Sequence, residues 1–441
     1  MNELVHKYLK DGTAVNIAEG LEQAIRDGKL EPGQKVPTIR ALAHAVNVSP
    51  TTIAAAYRNL RSRGILVARG RGGTRVSHRP MHAAGCKPAI PHGVRDLSDG
   101  NPDPQCLPDL KPILQRIDAK HVLYGSPTEC ADLVKAVKKE LNNDDVVTGD
   151  VCILSGAMDA IERLLTVLLK PGDRVGVEDP GFGSVFTLAM SRGLSLVPLP
   201  VDEQGMKPEP LAKACRESLD AIIVTPRAQT PTGACLTDAR AAELKRIIRR
   251  YPDLIIIEDD HANLVSHATL HRLHDEKRRT WAHVRSFAKS MGPDIRLAAV
   301  TGDDRTIARV RELLVLGCRW VSYLLQRTVC ELLSDKTVRK QLVKTGQLYA
   351  QRRNALVSAL AKVGLQATAC SGFNVWLPVP AEATVVQSML AAGWSVAPGE
   401  RFRITSPPGI RITTATLEPE LAARVADDLH NAVKPNMATN V

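Results

Sequence analysis

The chain has 441 residues, 44% hydrophobic and 24% charged, which is ordinary for a globular protein and long enough for two or three domains. No stretch approaches the roughly 18 apolar residues of a membrane span, and the start MNELVHKYLKDG has no apolar signal core. Nine scattered cysteines without a C-x-x-C pair argue against a disulfide framework or a zinc site, so a cytoplasmic protein with no membrane association and no metal is expected. The net charge of +11 is unevenly spread: from Pro32 to Arg95 there are eleven basic residues and no carboxylate. Such a one-signed field suits a polyanionic partner better than a merely solvated surface.

Residues 1–78 read as three helices and a hairpin. Periodic apolar positions Ile17, Leu21, Ala24 and Ile25 predict a helix from about Asn16 to Asp27, stopped by Gly28. A second helix, about Thr38 to Val46, is expected to turn Ile39, Leu42 and Ala43 inward. After the tight Asn47-Val48 connection, Ser49 caps a third helix with Pro50 at its first position, running to about Arg63. Ile65–Ala68 and Thr74–Ser77 flank Gly-Arg-Gly-Gly as short strands. Residues 79–95 hold three prolines and two glycines and are read as a linker.

From residue 96 to 441 strands and helices alternate: VCIL, then a helix over about 157–169, DRVGVED, a helix near 182–191, LSLVPLP, a helix near 211–219, DAIIVTP, a helix near 238–250, LIIIEDD, VRSFAK and IRLAAVTG. That order predicts a mostly parallel sheet wrapped by helices. The tail from about Val343, with WLPV and GIRI, reads as a smaller α+β subdomain. The fold class is therefore multidomain, with an N-terminal winged helix-turn-helix and a C-terminal α/β domain.

A capped helix following another helix and a short turn is a helix-turn-helix, whose second helix presents its N-terminal residues to the major groove. Thr51 and Thr52 are placed there, with Arg40, Arg58 and Arg61 on phosphates and Arg69 and Arg71 on the wing. The segment AIRDGKLEPGQKVPTIRALAHAVNVSPTTIAAAYRNLRSRGILVARGRGGTRV resembles the GntR family of bacterial transcription regulators. That resemblance implies double-stranded operator DNA as partner and contacts by Arg40, Thr51, Thr52, Tyr57, Arg71, Gly73 and Thr74. Packing of the helix is the other reading of Tyr57.

At the other end, Lys289 follows a predicted strand, Asp259 ends LIIIEDD, Ser155-Gly156-Ala157 joins a strand to a helix, and Arg296 adds a fixed cation. A Schiff-base lysine, an acid for a ring nitrogen and a phosphate cup are what pyridoxal 5′-phosphate requires. Through TPRAQTPTG, EDDH and RSFAKSMGPDIRLA, the chain resembles fold-type I aminotransferases, and more closely the MocR (GabR-like) branch of GntR regulators, nearest its PtsJ-like members. The resemblance implies Lys289 as the Schiff-base lysine, Asp259 on the ring nitrogen and Phe182 on the ring. It places Ser155, Gly156, Ala157, Ser286 and Arg296 at the phosphate. Tyr124 would reach the partner's phosphate in a homodimer, and Arg411 would grip the carboxylate of an amino compound. Two positions depart from the aminotransferase pattern: Thr230 replaces an asparagine and His261 a tyrosine at the phenolic oxygen, and His261 is expected to be a pH-sensitive substitute. Glu129 stands where glycine is usual. A regulator that senses the cofactor or its amine adduct, rather than an enzyme, is expected; a working aminotransferase with an attached DNA-binding module is the alternative. His267, His271 and His274 are read as exposed or capping residues rather than metal ligands.

Overall fold

The structure, a computed structural model, describes residues 8–9, 12–27, 29–31, 33–62, 65–68, 73–76, 90–146, 149–275 and 278–434. The chain divides into two compact units. One is built on Met1–Pro88 with Leu169–Arg174 and Phe186–Leu196; the other comprises Ala89–Leu168, Val175–Val185 and Val197–Val441.

In the first unit α1 spans Ala14–Arg26, α2 Ile39–Val46 and α3 Pro50–Ser62. Each start has a hydroxyl cap: Thr13 Oγ1 accepts from Asn16 N, Thr38 Oγ1 from Ala41 N, and Ser49 Oγ from Thr52 N. A cap of this kind is worth about 1 kcal/mol. Asn47 ends α2 in the left-handed region at φ 54°, which lets the chain reverse into α3. Ile17, Leu21, Leu42, Ile53, Leu60 and Leu66 are almost fully buried together. At about 1.5–3 kcal/mol each, their burial holds the three helices on each other. Ile39 departs from expectation: it is 37% exposed, because the first turn of α2 projects beyond the core that Leu42 and Ala43 reach. Antiparallel β1 (Leu66–Ala68) and β2 (Thr74–Val76) form the wing. Its tip, with Arg69 and Arg71, lies outside the described residues, as does most of the linker. Arg95, read as the linker's last residue, instead opens β3 (Arg95–Asp96).

The second unit is built on an eight-stranded sheet. In chain order its strands are β4 (Val151–Leu154), β5 (Arg174–Asp179), β6 (Ser195–Asp202), β7 (Gly205–Met206), β8 (Ala221–Val224), β9 (Ile255–Asp260), β10 (Trp281–Ser286) and β11 (Ala298–Gly302); in space they run β4-β11-β10-β9-β8-β5-β6-β7. β5, β8, β9 and β10 pair in parallel, whereas β11 runs antiparallel to both its neighbours. The near-continuous apolar runs fit a sheet buried on both faces. Register then assembles a site. Parallel pairing sets Val284 beside Asp259, so the ends of β9 and β10 coincide. Antiparallel pairing sets Ala298 opposite Leu154, which brings the start of β11 to the turn after β4.

The tail forms a subdomain, as its pattern implied. β12 (Asn374–Pro378), β14 (Ala397–Pro398) and β15 (Gly409–Thr413) make a sheet ordered β12-β15-β14, and β13 (Trp394–Ser395) pairs with β3. Leu356, Leu360, Val375, Ile410, Ile412, Val425 and Leu429 form its core.

Candidate functional site

A cavity of about 250 Å³ opens where β4, β9 and β10 end, and Gly156, Ala157, Phe182, Thr230, Asp259, His261, Ser286, Lys289, Arg296 and Arg411 all line it. Residues up to 255 positions apart are thus brought together, by strand register in the large sheet and by loops and β15 of the tail subdomain around it. A larger hollow of about 710 Å³ is lined by Asp96, Asn101, Pro104 and Leu417 among others, but it gathers no comparable chemistry.

Lys289 stands in the short helix Ala288–Met291 just past β10, and its Nζ donates to Gly100 O at 2.6 Å. Gly156, at φ 92°, has no Cβ; one placed there would sit 3.7 Å from the Arg296 guanidinium. Next comes a helix N-terminus, Ala157–Leu168. Backbone N–H groups, the helix dipole and an arginine make a cup that fits a phosphate. Ser155 N–H donates to Asp159 Oδ2 at 3.0 Å, and the residue flanks the cup without being among those that line the cavity. Phe182 is 39% exposed and presents its ring to the cavity.

Asp259 is buried, and its Oδ1 has no hydrogen-bond partner. Burial first, and the adjacent Asp260 second, push its carboxyl up to about 7. A buried, unpartnered carboxylate oxygen is costly unless a cationic partner comes to it, and a protonated ring nitrogen fits. Beside it His261 Nδ1 lies 3.9 Å from Asp259 Oδ2, and His261 Nε2 lies 3.5 Å from Thr230 Oγ1. Burial, with the Lys289 cation next to it, holds His261 down to about 4, so beside the free lysine the imidazole is neutral at physiological pH. Arg411, on β15, is 7% exposed. Its Nη2 donates to Ser98 O at 2.5 Å, its guanidinium lies 4.7 Å from the Phe402 ring, and its Nε has no partner. Burial lowers its pKa to about 10. A guanidinium with a spare buried N–H beside the cavity fits a ligand carboxylate.

The other two carboxylates of Glu258-Asp259-Asp260 face away from the cavity, as strand alternation requires. Asp260 pairs with Arg227 and Arg285, both at 2.8 Å. His274 Nδ1 and His283 Nδ1 each lie 2.9 Å from Glu258 Oε2. His274 is thus fully buried and neither exposed nor a cap, contrary to expectation. Glu258, His274 and His283 bring ligand-type atoms together, but both rings hydrogen-bond one carboxylate oxygen, so the cluster acts as a buried charge network. Glu129 pairs with Arg311 at 3.1 Å and does not line the cavity, so that departure from the pattern leaves the pocket untouched. Tyr124 is 82% exposed and packs edge-on against Trp320 at 5.6 Å, outside the cavity.

In the first unit Ile39, Thr51, Ala54, Arg58, Arg61 and Thr74 border a shallow groove of about 340 Å³. Arg40, Thr51, Arg58 and Arg61 are exposed, while Thr52 is half-buried. Ser49 Oγ bridges Thr51 Oγ1 at 2.6 Å and Thr52 Oγ1 at 2.8 Å, fixing both rotamers. Gly73 has φ 80°, and a Cβ there would meet Lys35 at 2.7 Å, so it shapes the wing. Tyr57 also borders this groove, and at 3% exposed with its hydroxyl donating to Pro37 O at 2.7 Å it favours the packing reading.

The sequence reading missed Ser98 and Gly100, whose carbonyls hold Arg411 and Lys289, and also Phe373 and Asn374 on the cavity wall. The only signal for the first pair was the turn-forming Asp-Gly-Asn-Pro at 99–102.

The family model for aminotransferase class I and II matches residues 94–429, and that for the gntR family of bacterial regulatory proteins matches residues 13–76. The vitamin B6 salvage pathway transcriptional repressor PtsJ of Salmonella typhimurium is 39% identical over 96% of this chain and 98% of its own. The probable rhizopine catabolism regulatory protein MocR of Rhizobium meliloti is 24% identical over 77% of this chain and 75% of its own. The crystal structure of Pyrococcus horikoshii kynurenine aminotransferase aligns with a TM-score of 0.72 at 20% identity, over 81% of this chain and 96% of that one. This last likeness establishes the aminotransferase fold of the large unit.

Proposed function

The chain belongs to the MocR branch of GntR-type transcription regulators, and from that premise we propose that pyridoxal 5′-phosphate in the large unit sets the operator affinity of the winged helix-turn-helix. One observation carries the reading. Lys289, Asp259 and the Gly156–Arg296 cup converge on one cavity, where a neutral His261–Thr230 pair stands in place of tyrosine and asparagine. When bound, the cofactor supplies a covalently reactive carbonyl and an electron-withdrawing ring. Lys289 holds its carbonyl carbon, Asp259 keeps a proton on the ring nitrogen, and Arg296 with the Gly156–Ala157 N–H groups orients the phosphate. Neither His261 nor Thr230 supplies the strong donors to the phenolic oxygen that efficient turnover needs. The domain is therefore a sensor with poor turnover and not an enzyme.

The repressor role named for the Salmonella relative supports control of vitamin B6 salvage as the biological setting. The spare Nε of Arg411 supports a second ligand class, a small amino acid captured on the cofactor with its carboxylate on that arginine. Homodimerisation is supported by Leu114, Leu123, Tyr124, Leu316 and Leu324, large apolar side chains 54–82% exposed. Tyr124, outside its own cavity, is free to complete the partner's phosphate site. No described helix is long and apolar enough to cross a membrane, and a DNA-reading role sets the protein in the cytoplasm with the chromosome. We assign residues 1–78 to DNA reading, 79–95 to the linker with its last residue in β3, and 96–441 to sensing and dimerisation.

The test is titration of DNA selected by the protein from a random pool, using apo protein, cofactor-loaded protein and Lys289→Ala at one salt concentration. Linkage requires the cofactor to change operator affinity and the operator to change cofactor affinity by the same factor, typically about 5–150-fold. Three coincident curves, unmoved by added amino acids, would overturn the proposal.

A further inference from the structure

Two cysteines meet behind one wall of the cavity. Cys235 follows the Thr230-Pro231-Thr232-Gly233 loop, and Cys370 precedes Gly372, Phe373 and Asn374; Thr230, Gly372, Phe373 and Asn374 all line the cavity. The two loops are stitched together by backbone. Cys370 N and Ser371 N both donate to Gly233 O, at 2.9 and 2.8 Å, and Ala228 N donates to Ser371 Oγ at 2.6 Å. The two residues meet at one acceptor, since Glu203 O accepts from the Cys235 backbone N–H at 3.3 Å and from the Cys370 thiol at 3.2 Å. Cys370 is exposed and Cys235 is half-buried, so solvent reaches the pair.

We propose that Cys235 and Cys370 are a redox modification site, closing reversibly into a disulfide under peroxide and tying together the two loops of the cavity wall. The environment selects the roles. The Cys370 thiol, whose one proton can turn from Glu203 O to the Cys235 sulfur, brings Cys235 down to about 7 with the Ser371 hydroxyl and the Arg353 cation, whereas Cys370 is pushed up by its Cys235 partner. Cys235 is therefore the thiolate near neutral pH and the nucleophile. Its sulfur attacks hydrogen peroxide; the O–O bond breaks, a sulfenic acid forms on Cys235, and hydroxide leaves to become water. The Cys370 sulfur then attacks the Cys235 sulfur and displaces a second hydroxide, which leaves as water with the Cys370 proton. Two thiols and one peroxide give one disulfide and two waters. A small thiol such as glutathione restores the pair by exchange, consuming two equivalents. The loops already touch, because a Cβ on Gly372 would meet the Ala228 Cβ at 2.7 Å. Closure thus joins two loops that are already in contact.

Once joined, the loop bearing Thr230 cannot move independently of the segment leading into β12, so release and capture of the cavity's ligand change. This consequence rests on the cofactor reading of the pocket; formation of the bond does not. The full-length protein is treated with hydrogen peroxide, alkylated, and digested with trypsin without reductant. The expected product is a cross-link between peptides 228–240 and 363–401, reversed by dithiothreitol and absent from Cys235→Ser and Cys370→Ser. In Cys370→Ser, dimedone should trap a sulfenic acid on Cys235. Cysteines oxidised singly, linked to other partners or left reduced would overturn the proposal. Pyridoxal 5′-phosphate is then titrated into the oxidised and reduced forms, where a change of about fivefold or more is expected. Equal affinities in a protein shown to be cross-linked would overturn the coupling to the cavity, and absence of binding in both forms would count against the cofactor reading alone.

Discussion

Replacing Asp259 with asparagine isolates the electrostatic device of the cavity. In the apo protein burial, and then Asp260, raise this carboxyl from 3.8 to about 7. The folded-state value lies above the unfolded one, so the stability tied to this group is fully present below about pH 4. It is lost progressively as pH rises to about 7 and stays lost beyond that. Three pKa units set a ceiling of about 4 kcal/mol, and relaxation with water entry leaves about half of it. Asparagine keeps the shape and cannot ionise. Asp259→Asn should therefore stabilise the apo large unit by about 2 kcal/mol at pH 8.5 and by less than half of that at pH 5. Glu178, pushed up to about 8 mainly by burial and in smaller part by Asp259 itself, is relieved of that charge in the variant, which adds to the stabilisation with the same sign. Urea unfolding followed by tryptophan fluorescence reads this unit alone, because Trp281, Trp320, Trp376 and Trp394 all belong to it. The same substitution should weaken pyridoxal 5′-phosphate binding, since the anion facing the ring nitrogen is gone. A variant no more stable than its parent at pH 8.5 would show that no buried-charge penalty exists there, and the argument for a waiting counter-ion would fail.

Arg40→Ala and Arg61→Ala, both at exposed positions, should each weaken operator binding and reduce the slope of log affinity against log salt by about one; an unchanged slope in both would remove the assigned docking face. Leu316, 78% exposed, is expected to lie in a dimer interface, so Leu316→Asp should shift sedimentation equilibrium toward monomer, and an unaltered dimer would move the interface elsewhere.

The first unit was legible because every cue was local. Ile17, Leu21 and Ala24 repeat at helical spacing, and Thr38 and Ser49 announce their helices as caps. The failure there is one of orientation. Ile39 sits on a helix read correctly, but whether a residue faces core or solvent depends on where the neighbouring helix lies, which spacing within one helix does not contain. In the large unit Lys289, Asp259 and Gly156 were visible because each ends a recognisable strand. Their partners were not: Gly100 O lies 189 residues from Lys289, and Ser98 O lies 313 from Arg411. His274 was misjudged for the same reason, since its carboxylate and its stacking partner Trp281, 3.9 Å away, come from separate strands.

Three consecutive carboxylates on β9 divide between fixing the strand and facing the cavity. Glu258 and Asp260 share one face of the sheet, and there two histidines and two arginines saturate them. Removing one partner from such a network costs about 3–5 kcal/mol, so the end of the strand is fixed. Asp259 alone turns to the other face and keeps an oxygen without a partner. The fold thus supports, at measurable cost, an acid aimed at one edge of the ring. Beside it His261 and Thr230, neutral at physiological pH, keep a hydrogen each for donation. On the sensor reading proposed above, what the site must supply is occupancy, and interactions made equally in the resting and reacting states supply that without raising turnover.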